Sequence, residues 1–179
     1  MTMVLSCHCG ASRVLATGKA VLHAYCHSQV CRELFGGAVV AVTMWRGADL
    51  SLAPGARAAG CFVQPLLEAT RHFCAGCGST LFLVDALGLR VVSHALIAAS
   101  YRGILPAQHA PTMHLHYAQR QLDIDDELPK HLERPGGPQY QPRPPVAPLA
   151  VTTPFVERRY AMPAAPRRSG FSGPGSETA

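Results

Sequence analysis

Four of the seven cysteines occur as two short pairs that lie far apart in the chain. The first pair is Cys7 and Cys9, the second is Cys74 and Cys77, and a glycine follows the last cysteine of each pair. Zinc prefers thiolate ligands in a tetrahedral arrangement, and two short loops can supply two ligands each. A glycine after each pair permits the left-handed backbone that a tight turn around an ion needs. These residues therefore predict one structural zinc ion.

Two other interpretations of these cysteines stay open. They are ordinary buried cysteines, or Cys74 and Cys77 form a thiol redox pair. A redox pair of this spacing normally opens a helix, whereas this one lies between two strand-like segments. If zinc binds, it contributes to folding on the order of 10 kcal/mol, because the unfolded chain has no preformed site.

A second group of potential ligands occupies residues 26–32, where the sequence reads Cys-His-Ser-Gln-Val-Cys-Arg. Cys26 and Cys31 supply two thiols, and the His27 imidazole would complete a three-ligand zinc site with an open position. The alternative is that His27 lies behind the ligands or at the surface. Ser28 is a far poorer ligand, because its hydroxyl stays protonated and hard. Thiol redox chemistry by Cys26 and Cys31 is a further alternative.

Short apolar runs rich in β-branched and aromatic residues indicate strands. These runs are Val39 to Trp45, Arg71 to Phe73, Leu81 to Val84, Leu89 to Val92 and Met113 to Tyr117. Two stretches look less extended and predict a turn or short helix, residues 27–35 and 96–105. We therefore expect a mainly β domain of antiparallel sheets over residues 1–134, with Cys61 in its core.

Composition changes at Pro135, and ten of the fifteen prolines lie from this residue onward. A segment rich in proline, glycine and arginine buries too little apolar surface to offset its ordering entropy. We expect residues 135–179 to be a mostly disordered tail. The tail contains five arginines and two acidic residues, so it carries +3 of the formal net charge of +5. The charge is sparse and lacks interleaved aromatic residues, so we do not predict nucleic-acid binding.

The remaining composition points to a folded protein in a reducing compartment. Hydrophobic residues make up 48% of the 179 residues, and no apolar run reaches the roughly 18–20 residues of a membrane span. The first residues lack the basic region of a secretory signal. Since the cytosol keeps thiols reduced, we expect a cytoplasmic protein whose cysteines bind metal.

The order of these motifs resembles the glutathione-dependent formaldehyde-activating and centromere protein V family over roughly residues 3–130. The resemblance rests on Cys-x-Cys-Gly, Cys-His-x-x-x-Cys-Arg, an apolar glycine-rich strand, and Phe-Cys-x-x-Cys-Gly-Ser-x-Leu. It implies a β-tent fold in which the outer cysteine pairs hold structural zinc. It also implies a catalytic zinc at the middle motif and carbon–sulfur lyase activity on a thiol adduct such as S-hydroxymethyl glutathione.

The sequence departs from the family pattern at the middle motif, where Ser28 replaces the central cysteine. Residues 94–97 read His-Ala-Leu-Ile where the family has a Leu-Asp step, and Leu122 replaces a tryptophan. Two hypotheses therefore stand: a divergent lyase with a degenerate catalytic metal site, in which Cys26, Cys31 and Ser28 act, and a catalytically inactive, zinc-stabilised scaffold or interaction module.

Two histidines and a cluster of acidic residues complete the candidates. His114 and His116 alternate along a predicted strand, so we expect them on one face. His114 resembles a histidine of the family in that strand and is the better candidate for the pocket. The acidic residues at 123 and 125–127 are expected in a solvated loop.

Overall fold

Residues 2–54 and 59–142 are described by the computed structural model. They belong to one unit, Met1–Pro142. This unit continues past the predicted boundary at residue 134, because His131 pairs with Gln139 in a β-bridge and the Tyr140 N–H donates to the Lys130 carbonyl at 2.7 Å. Residues 143–179 lie outside the described residues, so the disorder of the tail stays a prediction.

Strands dominate the described residues, and the predicted mainly β fold class is confirmed. The strands are β1 Met3–Ser6, β2 Arg13–Ala16, β3 Leu22–Cys26, β4 Val40–Trp45, β5 Leu50–Leu52, β6 Ala59–Gln64, β7 Ala69–Cys74, β8 Thr80–Val84, β9 Arg90–Ser93 and β10 His114–Leu115. The helices are α1 Gln29–Phe35 and α2 His94–Ser100, with 3-10 turns at Gly47–Asp49, Pro65–Leu67, Ala107–His109 and Tyr117–Gln119.

The strands form two sheets. A three-stranded sheet has the order β1-β2-β5, and a seven-stranded sheet has the order β10-β3-β4-β9-β8-β7-β6. The pairings are antiparallel except that β10 runs parallel to β3, with Leu115 opposite Cys26. The larger sheet is therefore mixed rather than purely antiparallel, and its parallel edge lies beside the second cysteine motif.

Both faces of the larger sheet are covered by other elements. Successive residues of a strand point to opposite faces, so one strand contributes side chains to both sides. In β4, Val42 and Met44 pack with α1 and the residues around Cys26. Trp45 packs on the other side with the three-stranded sheet and α2. Cys61 was expected in the core, and this prediction is wrong: Cys61 is exposed on β6, the edge strand opposite β10.

The two stretches predicted to be less extended both contain a short helix. Ser28 caps the N-terminus of α1 by accepting a hydrogen bond from the Cys31 N–H, and Ser93 caps α2 in the same way through the Leu96 N–H. Helix α1 ends at Gly36, whose φ of 81° suits glycine. Within the described ranges, no helix is long and apolar enough to cross a membrane.

Candidate metal centre and thiol pocket

The two outer cysteine pairs meet at one end of the sheets. Their four sulfur atoms all lie within 4.8 Å of one another, with Cys9 Sγ 3.6 Å from both Cys7 Sγ and Cys74 Sγ. A tetrahedral site with a Zn–S length of about 2.3 Å has sulfur–sulfur edges of about 3.8 Å. Cys7, Cys9, Cys74 and Cys77 therefore form a cluster that fits a tetrahedral metal ion.

The two loops that carry these cysteines close with the same hydrogen-bond pattern. The Cys7 N–H donates to the Ser12 carbonyl at 3.0 Å, and the Cys74 N–H donates to the Ser79 carbonyl at 2.9 Å. The glycine after each pair has a positive φ, 76° at Gly10 and 73° at Gly78. The left-handed turns expected of these glycines are confirmed.

Hydrogen bonds around the cluster favour ionised sulfur at Cys77 and a protonated thiol at Cys9. The Ser12 N–H donates to Cys7 Sγ at 3.2 Å. The side chain and backbone N–H of Ser79 lower the pKa of Cys77 to about 5. The Ala11 N–H lowers the pKa of Cys9, but hydrogen bonds with the other three thiols outweigh it and raise that pKa to about 12. A bound cation would displace the proton of Cys9, because thiol ligands of a metal ion are deprotonated.

A second pair of thiols lies where β3 meets α1. Cys26 ends β3, Ser28 is the cap of α1, and Cys31 lies in the first turn, with all three side chains buried. The Ser28 Oγ is 3.2 Å from Cys26 Sγ and accepts the Cys31 N–H at 3.2 Å. A hydrogen bond from the Cys31 thiol, helped by Ser28, lowers the pKa of Cys26 to about 7. The pKa of Cys31 is raised because its proton is shared with Cys26 and because it is buried.

These three residues line a pocket of about 300 Å³. Apolar side chains of β4, β8 and β9 line the same pocket, and Gln119, His116 and Arg134 add polar groups to its lining. Burial lowers the pKa of His116, which favours its neutral form. The sequence-predicted Cys26, Ser28 and Cys31 are thus brought together beside a cavity of substrate size.

His27 does not lie with the two thiols. It is fully buried, and its Nε2 is 2.9 Å from His114 Nδ1, while its ring packs edge-on against Tyr117. Successive side chains of an extended segment point to opposite faces, so His27 points away from the face of Cys26. Among the described residues, only the four outer cysteines form a group of three or more close ligand atoms. His27 therefore does not join Cys26 and Cys31 as a third metal ligand.

The prediction that His114 and His116 share a face is wrong. Strand β10 ends at Leu115, and His116 has a positive φ of 55°, which turns its side chain out of the strand alternation. His116 lines the thiol pocket, whereas His114 is fully buried beside Tyr25, whose ring it stacks on. The pocket histidine is thus the one that the family pattern did not favour.

Asp126 has a role that the sequence did not reveal. Its carboxylate lies 2.9 Å from His114 Nε2 and 2.6 Å from Lys130 Nζ. It was expected in a solvated loop, but it anchors a buried chain that runs from Asp126 through His114 to His27. The neighbouring Tyr117 hydroxyl accepts the Ile124 N–H at 3.0 Å and holds the same loop. No local pattern links residue 126 to residue 27, so only the fold shows this contact.

A second histidine group surrounds the buried Thr43 on the other face of β4. Thr43 Oγ1 is 2.9 Å from His23 Nδ1, 3.0 Å from His94 Nε2 and 3.5 Å from His109 Nδ1. Burial lowers the pKa of His94 to about 4, against the effect of a hydrogen bond with the Val42 backbone. His94 is thus a neutral core residue. It belongs to the segment that replaces the family's Leu-Asp step.

Comparison with known proteins identifies the family of this chain. The family model described as glutathione-dependent formaldehyde-activating enzyme matches residues 2–119. A Halomonas elongata protein named as a candidate glutathione-dependent formaldehyde-activating enzyme is 32% identical over 88 residues, which are 45% of this chain and 54% of that protein. The match thus spans about half the length of that curated relative.

Among solved structures, a crystal structure of a Rhodobacter sphaeroides protein aligns with a TM-score of 0.44 and 23% identity. The alignment covers 60% of this chain and 95% of that one. The family match, in contrast, includes both cysteine loops and the segment from Cys26 to Cys31. The chain belongs to the glutathione-dependent formaldehyde-activating enzyme family.

Proposed function

We propose that this protein is a carbon–sulfur lyase that makes or breaks the adduct of a thiol, such as glutathione, with an aldehyde. The observation that carries the proposal is the placement of Cys26, Ser28 and Cys31 together at a pocket of about 300 Å³. Family membership supports the same chemistry. As part of this proposal we place the protein in the cytoplasm, because its seven cysteines are unpaired and need reducing conditions.

Structural zinc at the outer cluster is part of the proposal. The thiol donor set and the 3.6 Å sulfur spacings suit zinc better than the hard cations, which prefer oxygen ligands. Bound there, zinc would fix the ends of β1 and β7 to each other. The cluster has four protein ligands and no open position, so its role would be structural.

The thiol pocket is one ligand short of the three protein ligands that catalytic zinc usually has. A second zinc ion held by Cys26 and Cys31 would supply Lewis-acid activation. The side chains themselves offer a proton acceptor: Cys26 Sγ, with Cys31 and Ser28 as hydrogen-bond donors, can take up the proton that the substrate thiol loses. The aliphatic walls exclude water from the bond that forms.

The experiment is to measure formation of S-hydroxymethyl glutathione from glutathione and formaldehyde by NMR exchange. We expect the wild type to accelerate it and Cys26→Ala and Cys31→Ala to abolish the acceleration. Cys61→Ala is the matched control, since Cys61 is exposed and lies outside both thiol groups. Wild-type rates in Cys26→Ala, or no acceleration by the folded wild type, would refute the proposal.

A second candidate function, the inactive zinc-stabilised scaffold, is favoured by one observation. Ser28 is engaged as a helix cap, and the described part of the chain forms a single cluster of three or more metal-ligand residues. A protein with one zinc ion per chain and no effect on adduct formation would favour this second function.

A further inference from the structure

The pocket beside Cys26 and Cys31 has an apolar floor and an exposed leucine at its mouth. Buried Met44, Leu83 and Val91 contribute to the floor. Leu87 lines the same pocket and is 60% exposed, which places it at the mouth. A substrate that enters this pocket therefore meets aliphatic groups before it reaches the thiols.

The charged groups around this pocket do not offer an ionic site in its interior. The Asp85 carboxylate accepts the N–H groups of Leu87 and Leu89 at 3.0 and 2.8 Å, so it is engaged in holding the turn that carries Leu87. Arg134 is exposed, and the lowered pKa of His116 favours the neutral imidazole. Glutathione carries two carboxylates and an ammonium group, which gain nothing from aliphatic walls. The tripeptide part therefore suits the solvent-exposed rim better than the interior.

We propose that the pocket selects adducts of aliphatic aldehydes, with the hydrocarbon chain of the aldehyde held between the buried floor and Leu87. This inference rests on the proposed lyase function and names its substrate class. In the direction of synthesis, the thiol loses its proton, its sulfur forms a bond to the aldehyde carbon, and the carbonyl oxygen takes up the proton. Atoms and electrons balance without an oxidant or a further reactant.

The size of the pocket limits the chain. Its volume of about 300 Å³ corresponds to roughly ten groups of the size of a water molecule, at about 30 Å³ each. The reacting carbon, its oxygen and the sulfur take about three of these places, which leaves room for a chain of up to about seven carbons. Each buried methylene group contributes about 0.8 kcal/mol, which corresponds to about a fourfold change in affinity.

Binding of S-alkyl glutathiones tests the chain preference without relying on turnover. S-methyl, S-propyl and S-hexyl glutathione mimic the adducts and do not react, and calorimetry measures their dissociation constants. We expect affinity to rise about fourfold per added methylene up to the propyl compound and further to the hexyl compound. Equal affinities for all three compounds would overturn the proposal.

A matched pair of variants locates the binding site. Leu87→Gln removes an apolar side chain from the mouth, and we expect it to weaken S-hexyl glutathione about fourfold and the S-methyl compound less. Leu66→Gln is the control, because Leu66 is 89% exposed and lies outside the pocket. An equal effect of both substitutions would overturn the assignment to this pocket.

The rates of adduct formation with formaldehyde, propanal and hexanal test the lyase function separately from the chain preference of the pocket. Chain-dependent binding without acceleration of any adduct would refute the lyase function and leave the pocket assignment standing. Acceleration with formaldehyde but flat binding along the S-alkyl series would refute the chain preference alone.

Discussion

Replacing Ser28 by cysteine adds a third thiol to the pair formed by Cys26 and Cys31. The Ser28 Oγ lies 3.2 Å from Cys26 Sγ, so a sulfur at this position would lie near the edge length of about 3.8 Å that a zinc–thiolate site with Zn–S of about 2.3 Å requires. Three thiolates and an open position are a common ligand set for zinc. We expect Ser28→Cys to bind one zinc ion more per chain than the wild type.

The same substitution weakens helix α1. The Ser28 hydroxyl accepts the Cys31 N–H at 3.2 Å, and a thiol is a weak acceptor. Loss of a serine cap costs about 1 kcal/mol. With only enough zinc for the outer cluster, the variant should therefore unfold with a free energy about 1 kcal/mol lower than the wild type. Zinc at 100 times its dissociation constant from the new site adds about 2.7 kcal/mol, which outweighs that loss.

Ser93→Cys is the matched control for the cap. Ser93 accepts the Leu96 N–H at 3.3 Å at the start of α2, so its replacement removes a cap without adding a ligand to the thiol pocket. Elemental analysis gives the zinc content, and urea unfolding with and without added zinc gives the two free energies. Equal zinc contents of Ser28→Cys and wild type would refute the geometric argument, as would rescue of Ser93→Cys by added zinc.

Three further predictions concern the outer cluster and the core. Cys74→Ala should lose one zinc ion by elemental analysis and melt far below the wild type, because structural zinc binding contributes on the order of 10 kcal/mol; an unchanged zinc content would contradict this. Gly78→Ala should lower the urea-unfolding free energy by about 1–2 kcal/mol, since its φ is 73°. Gly76→Ala should cost less, as its added Cβ meets Cys9 Sγ at 3.7 Å, an ordinary contact. His94, whose pKa falls to about 4 on folding, binds a proton more readily in the unfolded chain, so wild-type stability should fall as the pH drops from about 6.5 towards 4. His94→Gln should flatten that slope in urea titrations, and parallel curves would contradict the assignment.

The outer cluster could be predicted from sequence because its determinants are local. Each loop combines two cysteines with a glycine that adopts a positive φ, and these patterns are visible within five residues. Strands β4, β7, β8, β9 and β10 were predicted for a similar reason, since each overlaps one of the short apolar runs. The zinc hypothesis itself brings the two loops together, because one tetrahedral ion takes two thiolate ligands from each loop.

Several strands, among them β2 and β6, and the orientation of the histidines were not predicted from the sequence. Strand β2 reads Arg-Val-Leu-Ala, too short a run to show a period, and β6 reads Ala-Gly-Cys-Phe-Val-Gln, where glycine and cysteine interrupt the β-branched and aromatic pattern. The positive φ of His116 ends β10 and brings its side chain to the pocket. Histidine adopts left-handed backbone more often than most residues, but still too rarely for the sequence to predict it at this position. Pairing of β10 with β3 then decides which side chains face the thiols.

Ser28 separates the positioning of the thiols from the binding of a metal ion. Its hydroxyl contacts Cys26 Sγ and caps the helix that carries Cys31, so the two thiols stay together at the pocket without a third thiolate. Zinc content and activity therefore need not change together between wild type and Ser28→Cys. Acceleration by a wild type with one zinc ion per chain would place the chemistry on the thiol pair itself. Acceleration only by Ser28→Cys would show that the wild-type chain retains the pocket as a scaffold and that one side chain decides between the two functions.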